Sequence, residues 1–453
     1  MLHLFDTARG AVAPLQTREP DTVSMYVCGP TVYGPPHLGH GRFSLVFDVL
    51  RRYLEWSGYT VRYVSNITDI DDKIIERGQR EGRDPAEIAV KCERIWFQAM
   101  DRLGVARPTA DPHATAFVGR MVELIGELIE RGAAYTTADG VYFASESVAD
   151  YGLLARQSLD SLRAGARVEL GEEKRSPTDF VLWKLAKPGE PTWPSPWGDG
   201  RPGWHTECVV MSLDLLGEGF DIHGGGQDLA FPHHENERAQ AVACGKAFAS
   251  YWVHNGFVEV AGEKMSKSLG NFTNLLDLID QHDPRAYRML VLQAHYRSPV
   301  EVTADTIEAA ERSLARLDTF AQRSAALTAE AAAPDEEALR RFRAAMDDDL
   351  NTPGAVAELF RLVREGNSAL DIDDVATAGA AAAAVREICR AVGLVLVEEG
   401  PQGPSEEVVA LMLARDQARA GKDWAEADRL RGEIQAAGWQ VLDTPSGTQV
   451  KPR

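Results

Sequence analysis

The chain has 453 residues, of which 44% are hydrophobic and 26% are charged, so it is long enough to bury a substantial core and to form about two to four domains. Its formal net charge of -20 excludes attraction of the whole surface to nucleic acid, because phosphate binding depends on Lys and Arg. Its five cysteines are too scattered for a disulfide framework, and no long apolar run suggests a signal peptide or a membrane span, so we expect a soluble cytoplasmic protein with no membrane partner.

The opening part of the chain is predicted to be α/β. Residues 23–28 form a short apolar run, residues 29–36 are rich in Gly and Pro, and residues 38–56 are apolar at helical spacing, with Gly58 as a helix stop. Residues 60–64 then favour a second strand. Strand, helix and strand at these lengths indicate a β-α-β unit of a parallel sheet.

The pattern loosens over residues 107–197. Within it, residues 135–143 resemble a hairpin, and residues 188–203 are dense in Pro, Gly and Trp. We therefore predict that residues 107–197 form an insertion into the sheet domain. Strand signals return at residues 220–223 and 256–260.

The carboxyl-terminal part is predicted to be helical, because its composition turns to Ala, Leu, Glu and Arg. The predicted helices cover residues 306–327, 335–345, 352–370 and 375–392. A Gly- and Pro-rich linker at residues 399–405 then precedes a helix over residues 406–437 and a small β unit over residues 439–451.

A first candidate site is the sequence His37-Leu38-Gly39-His40, which opens the predicted helix after the first strand. Free backbone N–H groups and the helix dipole favour anions there, and Gly39 has no side chain to obstruct a nucleotide. His37 and His40 share one helix face, so both can stabilise charge on a triphosphate. On this motif alone, a chance pair of histidines at a helix start explains the pattern equally well.

A second candidate site is Lys264-Met265-Ser266-Lys267-Ser268, in a polar loop after a predicted strand. The ammonium groups of Lys264 and Lys267 can neutralise the β- and γ-phosphates of a nucleotide and the departing pyrophosphate, and a mobile loop over residues 264–268 can exclude water. A solvated basic loop is the alternative for an isolated motif. Both motifs in this order are much harder to attribute to accident.

A third constellation suggests a metal site. His233 and Glu237 are spaced so that, if Pro232 starts a helix, their side chains project from one face as a pair of ligands. Cys208 can add a thiolate. A set of Cys, His and carboxylate ligands favours zinc.

Sequence spacing leaves the fourth ligand open between two residues. His205 lies close to Cys208 in the sequence, whereas Cys28 ends the first strand, beside the first motif. A buried thiol without any metal remains the alternative for Cys28 and for Cys208. For His205, His223 and His234, a hydrogen-bonded structural histidine is as good an explanation as a functional role.

Six segments together resemble the cysteinyl-tRNA synthetases, which are class I aminoacyl-tRNA synthetases, and the resemblance spans essentially the whole chain. The segments are residues 26–33, 66–73, 203–208, 223–228, 233–237 and 264–271. In that family the zinc ligands are two cysteines, a histidine and a glutamate. The resemblance therefore implies one zinc ion per chain, held by Cys28, Cys208, His233 and Glu237.

The resemblance also implies the remaining site residues. Four residues would act in catalysis by positioning and charge stabilisation: His37, His40, Lys264 and Lys267. The ATP contacts would come from His37, Gly39, His40, Gly224, Gly225, Gly226 and Lys267. The cysteine contacts would come from Gly29, Thr68, Trp204 and Asp228, with Asp228 pairing with the substrate's ammonium group.

The implied fold is α/β: a Rossmann-like parallel-sheet catalytic domain over residues 1–302, a helical bundle over residues 303–398, and a linker with a small mixed α/β anticodon-binding domain over residues 399–453. The implied activity joins L-cysteine to tRNA(Cys) through a cysteinyl adenylate. ATP would be the substrate together with Mg²⁺, and zinc would bind the thiolate and exclude serine. The working form is expected to be a monomer.

Two alternatives stay open at this stage. One is a cysteine ligase of mycothiol biosynthesis, which shares the adenylating core and zinc but joins cysteine to an amino sugar. Residues 347–353, 422–428 and 443–448 resemble helical and anticodon-binding parts that this ligase largely lacks. The other is a non-enzymatic nucleotide- or zinc-binding protein on the same fold, against which the intact motifs count.

Overall fold

The computed structural model describes residues 1–157, 174–260, 263–264, 274–325, 327, 332–398, 405–444 and 447–452. Its strands are, in chain order, β1 His3–Asp6, β2 Ala11–Pro14, β3 Thr22–Val27, β4 Thr60–Ser65, β5 Ala134–Thr136, β6 Gly140–Phe143, β7 Phe180–Leu185, β8 Gly200–Pro202, β9 Ile222–Gly226, β10 Tyr251–Asn255, β11 Val258–Val260, β12 Glu263–Lys264, β13 Val300–Glu301, β14 Trp439–Thr444 and β15 Gly447–Pro452.

The α-helices of the same residues are α1 Leu38–Trp56, α2 Asp72–Glu81, α3 Pro85–Arg102, α4 Val118–Glu130, α5 Trp204–Leu216, α6 Glu235–Ala243, α7 Leu275–Gln281, α8 Pro284–Gln293, α9 Ala304–Ser324, α10 Glu336–Asp347, α11 Thr352–Asp371, α12 Val375–Ala391, α13 Glu406–Ala420 and α14 Trp424–Ala436. None of these helices combines the length and the apolar character needed to cross a bilayer.

A four-stranded parallel sheet forms the centre of the amino-terminal part. Its strand order is β10-β9-β3-β4, so β3 pairs on one side with β4 and on the other with β9. The predicted strand–helix–strand unit is present as β3, α1 and β4. This α/β, Rossmann-like class was predicted from the sequence and is confirmed. In such a sheet the carboxyl ends of the strands form one edge, where ligands bind.

An antiparallel sheet lies between β4 and β9 in the sequence. Its order is β5-β6-β7-β8, and β5 and β6 form the hairpin predicted for residues 135–143. This sheet packs with α4 and with part of the central sheet in a second apolar cluster, whose members include Phe143, Leu182 and Trp183. Strands β5 to β8 therefore form a second layer, packed against part of the central sheet.

One strand prediction needs correction, and one observed strand was not predicted. The strand expected at residues 220–223 lies at Ile222–Gly226, and Tyr251–Asn255 is a strand that the sequence pattern missed. All five residues of Tyr251–Asn255 are buried, so the strand lacks the alternation that marks a strand with one face in water. The predicted strand at residues 220–223 ended too early because β9 ends in three glycines, and Gly is depleted in strands.

One helix prediction is wrong. The single helix expected over residues 406–437 is two helices, Glu406–Ala420 and Trp424–Ala436. Between them Lys422 has a φ of 59°, which a continuous helix does not allow, and the Asp423 side chain accepts a hydrogen bond from the Glu426 N–H at 3.1 Å. The other predicted helices of the carboxyl-terminal half match observed helices within three residues at each end.

A buried ion pair fastens α1 to the rest of the molecule. The Asp48 carboxylate on α1 accepts a hydrogen bond from Arg288 Nη1 on α8 at 2.6 Å, one from Arg52 Nε at 2.9 Å and one from the Ala106 N–H at 2.9 Å. Arg288 also donates to the carbonyl of Val392, just beyond α12, at 3.3 Å. Asp48 and Arg288 therefore link α1, α8 and the chain just beyond α12.

We predict that replacing Asp48 by Asn destabilises the protein strongly. The Arg288 guanidinium is 2% exposed, and without its partner it remains a buried charge with no counter-ion, a loss of about 3–5 kcal/mol. The midpoint of thermal unfolding, followed by circular dichroism, should fall clearly. Asp280→Asn is the control, because its pair with Arg102 is solvent-exposed and worth about 0–1 kcal/mol. Equal midpoints for the two variants would contradict this prediction.

Candidate active site

The first motif forms the start of α1. His37 is the N-cap of the helix, and the two imidazoles form a reciprocal capping box: the His40 N–H donates to His37 Nδ1 and the His37 N–H donates to His40 Nδ1, both at 3.2 Å. The rings stack with their centroids 3.6 Å apart. Gly39 lies between them in the first turn of the helix.

These two bonds determine which ring nitrogens can donate. Since Nδ1 of each ring accepts from a backbone N–H, the hydrogen of each neutral ring is on Nε2. Burial lowers the pKa of His40 well below 6.5, and the neighbouring His37 and Lys73 lower it further, so His40 is neutral at pH 7. The start of α1 thus presents two imidazole N–H donors beside the positive end of the helix dipole.

The second motif is only partly described. Lys264 lies on β12, whose backbone pairs with β11 opposite Glu259, while Lys267 lies outside the described residues. Where the described chain resumes, Asn274 forms a backbone bridge with His37, and the Leu275 N–H donates to the Pro36 carbonyl at 3.0 Å. The described chain therefore resumes, after the second motif, beside the first motif.

The four residues that the resemblance implied as metal ligands meet in one buried cluster. The Cys28 sulfur lies 3.6 Å from the Cys208 sulfur and 3.4 Å from Glu237 Oε1. His233 Nε2 lies 3.7 Å from the Cys208 sulfur and 3.1 Å from Glu237 Oε1. All four side chains are buried.

The spacing of these atoms fits a zinc ion. Ligand atoms at 2.0–2.3 Å from a tetrahedral zinc are roughly 3.3–3.8 Å from one another. Three of the four separations above, 3.4, 3.6 and 3.7 Å, lie in that range, and the fourth, 3.1 Å between His233 Nε2 and Glu237 Oε1, is slightly shorter. Burial raises the pKa of Cys28 well above its usual value and also raises that of Cys208, so the sulfurs need a cation beside them to ionise in this site.

The pair of predicted ligands lies where a π-helical turn, Ala230–His234, runs into α6. Within that turn only Phe231 has non-helical dihedral angles, so helical backbone runs from Pro232 into α6, as the sequence predicted. His233 therefore lies in that turn, and Glu237 lies in the first turn of α6. The two side chains meet, at 3.1 Å.

Three further histidines surround the cluster. His205 Nδ1 lies 2.8 Å from Nδ1 of His233, a predicted ligand, and burial lowers the pKa of His205 to about 4, which keeps its ring neutral. His223 Nε2 lies 2.7 Å from Glu237 Oε2. His223 and His234 also form a second possible ligand set with Cys28 and Glu237, sharing those two with the first.

A hydrogen-bonded frame connects the segments that carry the cysteines. The Gly29 N–H donates to Asn66 Oδ1 at 2.9 Å, and Asn66 Nδ2 donates to the Thr68 hydroxyl at 3.1 Å. That hydroxyl donates to Glu207 Oε2 at 2.9 Å, and Glu207 precedes Cys208 on α5. A Cβ atom at position 29 would lie 1.7 Å from the Asn66 carbonyl oxygen, so only Gly fits there.

Trp204 and Asp228 lie at the exposed side of this region. Trp204 is 38% exposed, and its ring stacks on that of His233, a predicted ligand, with centroids 3.9 Å apart. Asp228 is exposed in the short turn after β9. Trp204 is therefore a predicted cysteine contact whose ring lies directly against the buried cluster.

The three predicted nucleotide-binding glycines lie within β9 rather than after it. A Cβ atom on Gly224 would lie 2.3 Å from the Phe47 ring of α1, and one on Gly225 would lie 2.9 Å from the His234 ring. These two glycines thus let α1 and the turn before α6 approach the sheet closely. A Cβ atom on Gly226 would lie 2.5 Å from Asp228 Oδ1.

Sequence reasoning missed several residues of the site. Asn66 and Glu207 lie within two of the six segments that carry the resemblance. Neither was predicted as a site residue, because a buried amide or carboxyl that joins two segments has no characteristic spacing in the sequence. His254 was also missed, and its Nε2 lies 2.9 Å from His234 Nδ1. The signal for His254 was weak, because its strand has no polar alternation.

Three family models match consecutive parts of the chain. Residues 14–312 match the tRNA synthetases class I (C) catalytic domain, residues 341–397 match the DALR domain, and residues 402–450 match the cysteinyl-tRNA ligase anticodon binding domain. The first of these models covers more than half of the chain.

Curated relatives match over their full length. A cysteine–tRNA ligase of Halorhodospira halophila is 47% identical over 461 residues, and one of Caldicellulosiruptor saccharolyticus is 44% identical over 462 residues, each covering 99% of both chains. Among solved structures, a ternary complex of LeuRS, tRNA and LeuAMS from Agrobacterium radiobacter K84 gives a TM-score of 0.65 at 12% identity, covering 87% of this chain and 88% of that one.

A methionyl-tRNA synthetase of Mycobacterium tuberculosis in complex with methionyl-adenylate gives a TM-score of 0.62 at 15% identity, covering 82% of this chain and 89% of that one. These distant structures support the fold alone. The curated relatives and the catalytic-domain model go further: the chain belongs to the cysteine–tRNA ligase family, the cysteinyl-tRNA synthetases of class I.

Proposed function

We propose that this chain charges tRNA(Cys) with L-cysteine in two steps. The observation that carries the proposal is the buried set of two thiols, an imidazole and a carboxyl at the end of β3, the strand that leads into the first phosphate motif. The full-length likeness to cysteine–tRNA ligases supports the same activity.

In the first step the cysteine carboxylate attacks the α-phosphate of ATP, which forms cysteinyl adenylate and releases pyrophosphate. His37 and His40 donate from Nε2 to phosphate oxygens at the start of α1, where the helix dipole adds to their effect. Lys264 and Lys267 neutralise the β- and γ-phosphates. These groups act by position and charge, and none forms a covalent bond to the substrate.

In the second step the terminal ribose hydroxyl of the tRNA attacks the carbonyl carbon of the adenylate, and AMP leaves. Gly39 and Gly224 to Gly226 are proposed to lie against ATP, which is used with Mg²⁺. The turn after β9 lies directly beyond these glycines and has no buried residue, and glycine allows a nucleotide to approach the backbone closely.

The substrate's side chain is proposed to be selected at the metal cluster. Cys28, Cys208, His233 and Glu237 would hold one zinc ion, which when bound supplies a soft partner for a thiolate and a poor one for a serine hydroxyl. Gly29, Thr68, Trp204 and Asp228 are proposed to contact the cysteine. The frame through Asn66 and the stacking of Trp204 on His233 hold the first three of them around the cluster.

The proposed organisation follows the division at residues 302 and 398. Residues 1–302 would activate cysteine, residues 303–398 would link the parts, and residues 399–453 would bind the anticodon region of tRNA. The proposed partners are tRNA(Cys), L-cysteine and ATP. The proposed working form is a monomer in the cytoplasm, where charged tRNA is consumed.

The mycothiol ligase considered from the sequence is not supported. The curated matches are cysteine–tRNA ligases over 99% of the chain, and residues 402–450 match an anticodon binding domain. That domain has its own small core, formed by Val408, Ile434 and Val441.

The activity can be tested directly with the purified chain. We expect cysteine-dependent exchange of pyrophosphate into ATP and transfer of labelled cysteine to tRNA(Cys). Serine in place of cysteine is the control and should give little exchange, because a hydroxyl does not ionise near pH 7. Exchange followed by transfer to an amino sugar, and not to tRNA, would refute the proposal.

The proposed set of metal ligands predicts that bound zinc and cysteine activation are lost together. Cys208→Ala or Glu237→Ala should lose bound zinc, measured by elemental analysis, together with cysteine-dependent exchange, because each removes a ligand from a buried site. Cys244→Ala is the matched control, since its thiol is 3% exposed and lies outside the cluster. A Cys208 or Glu237 variant that keeps both zinc and activity would show that the ligand set is wrong.

The assignment of residues 399–453 to anticodon binding predicts that their removal weakens tRNA binding without abolishing cysteine activation. A chain ending at residue 398 should keep cysteine-dependent exchange, because the core of residues 405–452 is a cluster of its own. Its KM for tRNA(Cys) should rise at least about tenfold, as the loss of roughly 1.4 kcal/mol or more of binding energy implies. Charging kinetics at varied tRNA concentration measure this, and an unchanged KM would count against anticodon binding by the tail.

A further inference from the structure

Arg42 is a buried cation on α1, two residues after His40. It is 1% exposed, and no carboxylate pairs with it among the described residues. Burial lowers the pKa of Arg42 to about 10, so the guanidinium still carries its charge at neutral pH. A buried charge without a counter-ion is costly unless other groups accept its hydrogen bonds.

Three backbone carbonyls take the place of the missing carboxylate. Arg42 Nη1 donates to the Phe257 carbonyl, directly before β11. Nη2 donates to the Tyr296 carbonyl at 3.2 Å and also to the Ser298 carbonyl, both shortly before β13. A guanidinium carries its N–H groups in a rigid planar fork, so one side chain can hold two chain segments at once.

The two segments, residues 256–257 and 296–298, form a close junction. The Gly256 N–H donates to the Tyr296 carbonyl at 2.8 Å. A Cβ atom on Gly256 would lie 2.6 Å from each of two carbonyl oxygens of the facing segment. Glycine therefore permits this approach, and a larger residue at position 256 would push the two segments apart.

This junction is the base of the strands that lead to the second motif. Strand β11 pairs with β13 in parallel and with β12 in antiparallel, and Glu259 on β11 stands opposite Lys264 on β12. Phe257 lies two residues before Glu259, so a shift of the junction also moves the backbone of Lys264. Arg42 thus joins the helix that begins with the first motif to the strands that carry the second.

We propose that Arg42 is a positioning residue for cysteine activation, whose guanidinium fixes the second motif's Lys264 relative to the first turn of α1. This rests on the proposed function, in which both motifs act on one triphosphate. Groups that work by position and charge lose their effect when they are displaced, and a misplacement of about 1 Å can cost roughly 100-fold in rate. Arg42 acts through the junction and not by touching the nucleotide.

Two variants disturb the junction from opposite sides. Arg42→Lys keeps a buried cation but lacks the fork that reaches both segments, and Gly256→Ala inserts a Cβ atom between them. In cysteine-dependent exchange of pyrophosphate into ATP, we expect kcat to fall about tenfold or more in each variant. The KM for cysteine and the bound zinc should stay unchanged, because Arg42 contacts the junction rather than the metal cluster.

A double-mutant cycle separates this role from ordinary packing. In a chain that already carries Lys264→Ala, Arg42→Lys should lower kcat by no more than about twofold further, since no ammonium group remains to be misplaced. Arg288→Lys is the matched control, because Arg288 is also buried but donates to the carbonyls of Leu103 and Gly104. Any loss that it causes should be equal with and without Lys264→Ala.

Unchanged kcat in Arg42→Lys and in Gly256→Ala would overturn the proposal. An Arg42→Lys loss that is equal with and without Lys264→Ala would also overturn it, as would a Lys264→Ala chain with the parent's kcat. Circular dichroism shows which variants fold, and if Arg42→Lys does not, Gly256→Ala enters the same cycle under the same criteria. A parent chain without cysteine-dependent exchange would overturn the proposed function, and this role with it.

Discussion

The constraint on which the site depends is the cost of burying charge. Two thiols, a carboxyl and several imidazoles lie out of contact with water at one edge of the parallel sheet, and such groups ionise there only beside a cation. That edge is also where β3 and β4 end and where their chains turn towards Cys28 and Asn66. The fold thus supplies a buried cluster, in which the sulfurs can ionise only beside a cation.

The same element, α1, joins this edge to the nucleotide motifs. Its first turn carries the paired imidazoles, its middle packs against Gly224 through Phe47, and Asp48 binds Arg288, which also donates to the Val392 carbonyl just beyond α12. A shift of α1 would therefore disturb the phosphate donors, the sheet and the helical domain together. A few buried contacts of α1 therefore set where the phosphate donors lie relative to the central sheet.

Much of this was predictable from the sequence, for physical reasons that differ between elements. Helices such as Thr352–Asp371 have strong periodicity and were placed within a residue, whereas Tyr251–Asn255 was missed because full burial removes the alternation. The motif histidines were found through their spacing. Asn66 was missed, since a buried amide that connects two strand ends is defined only by the folded structure.

The reciprocal capping of α1 means that folding and function are not separable at its first turn. Each imidazole completes the hydrogen bonding of the helix start and, through the same bond, fixes which nitrogen of its own ring carries the hydrogen. A change at His37 therefore alters the tautomer of His40, and the reverse is also true. The two histidines form a single unit, and the effects of changing them will not add.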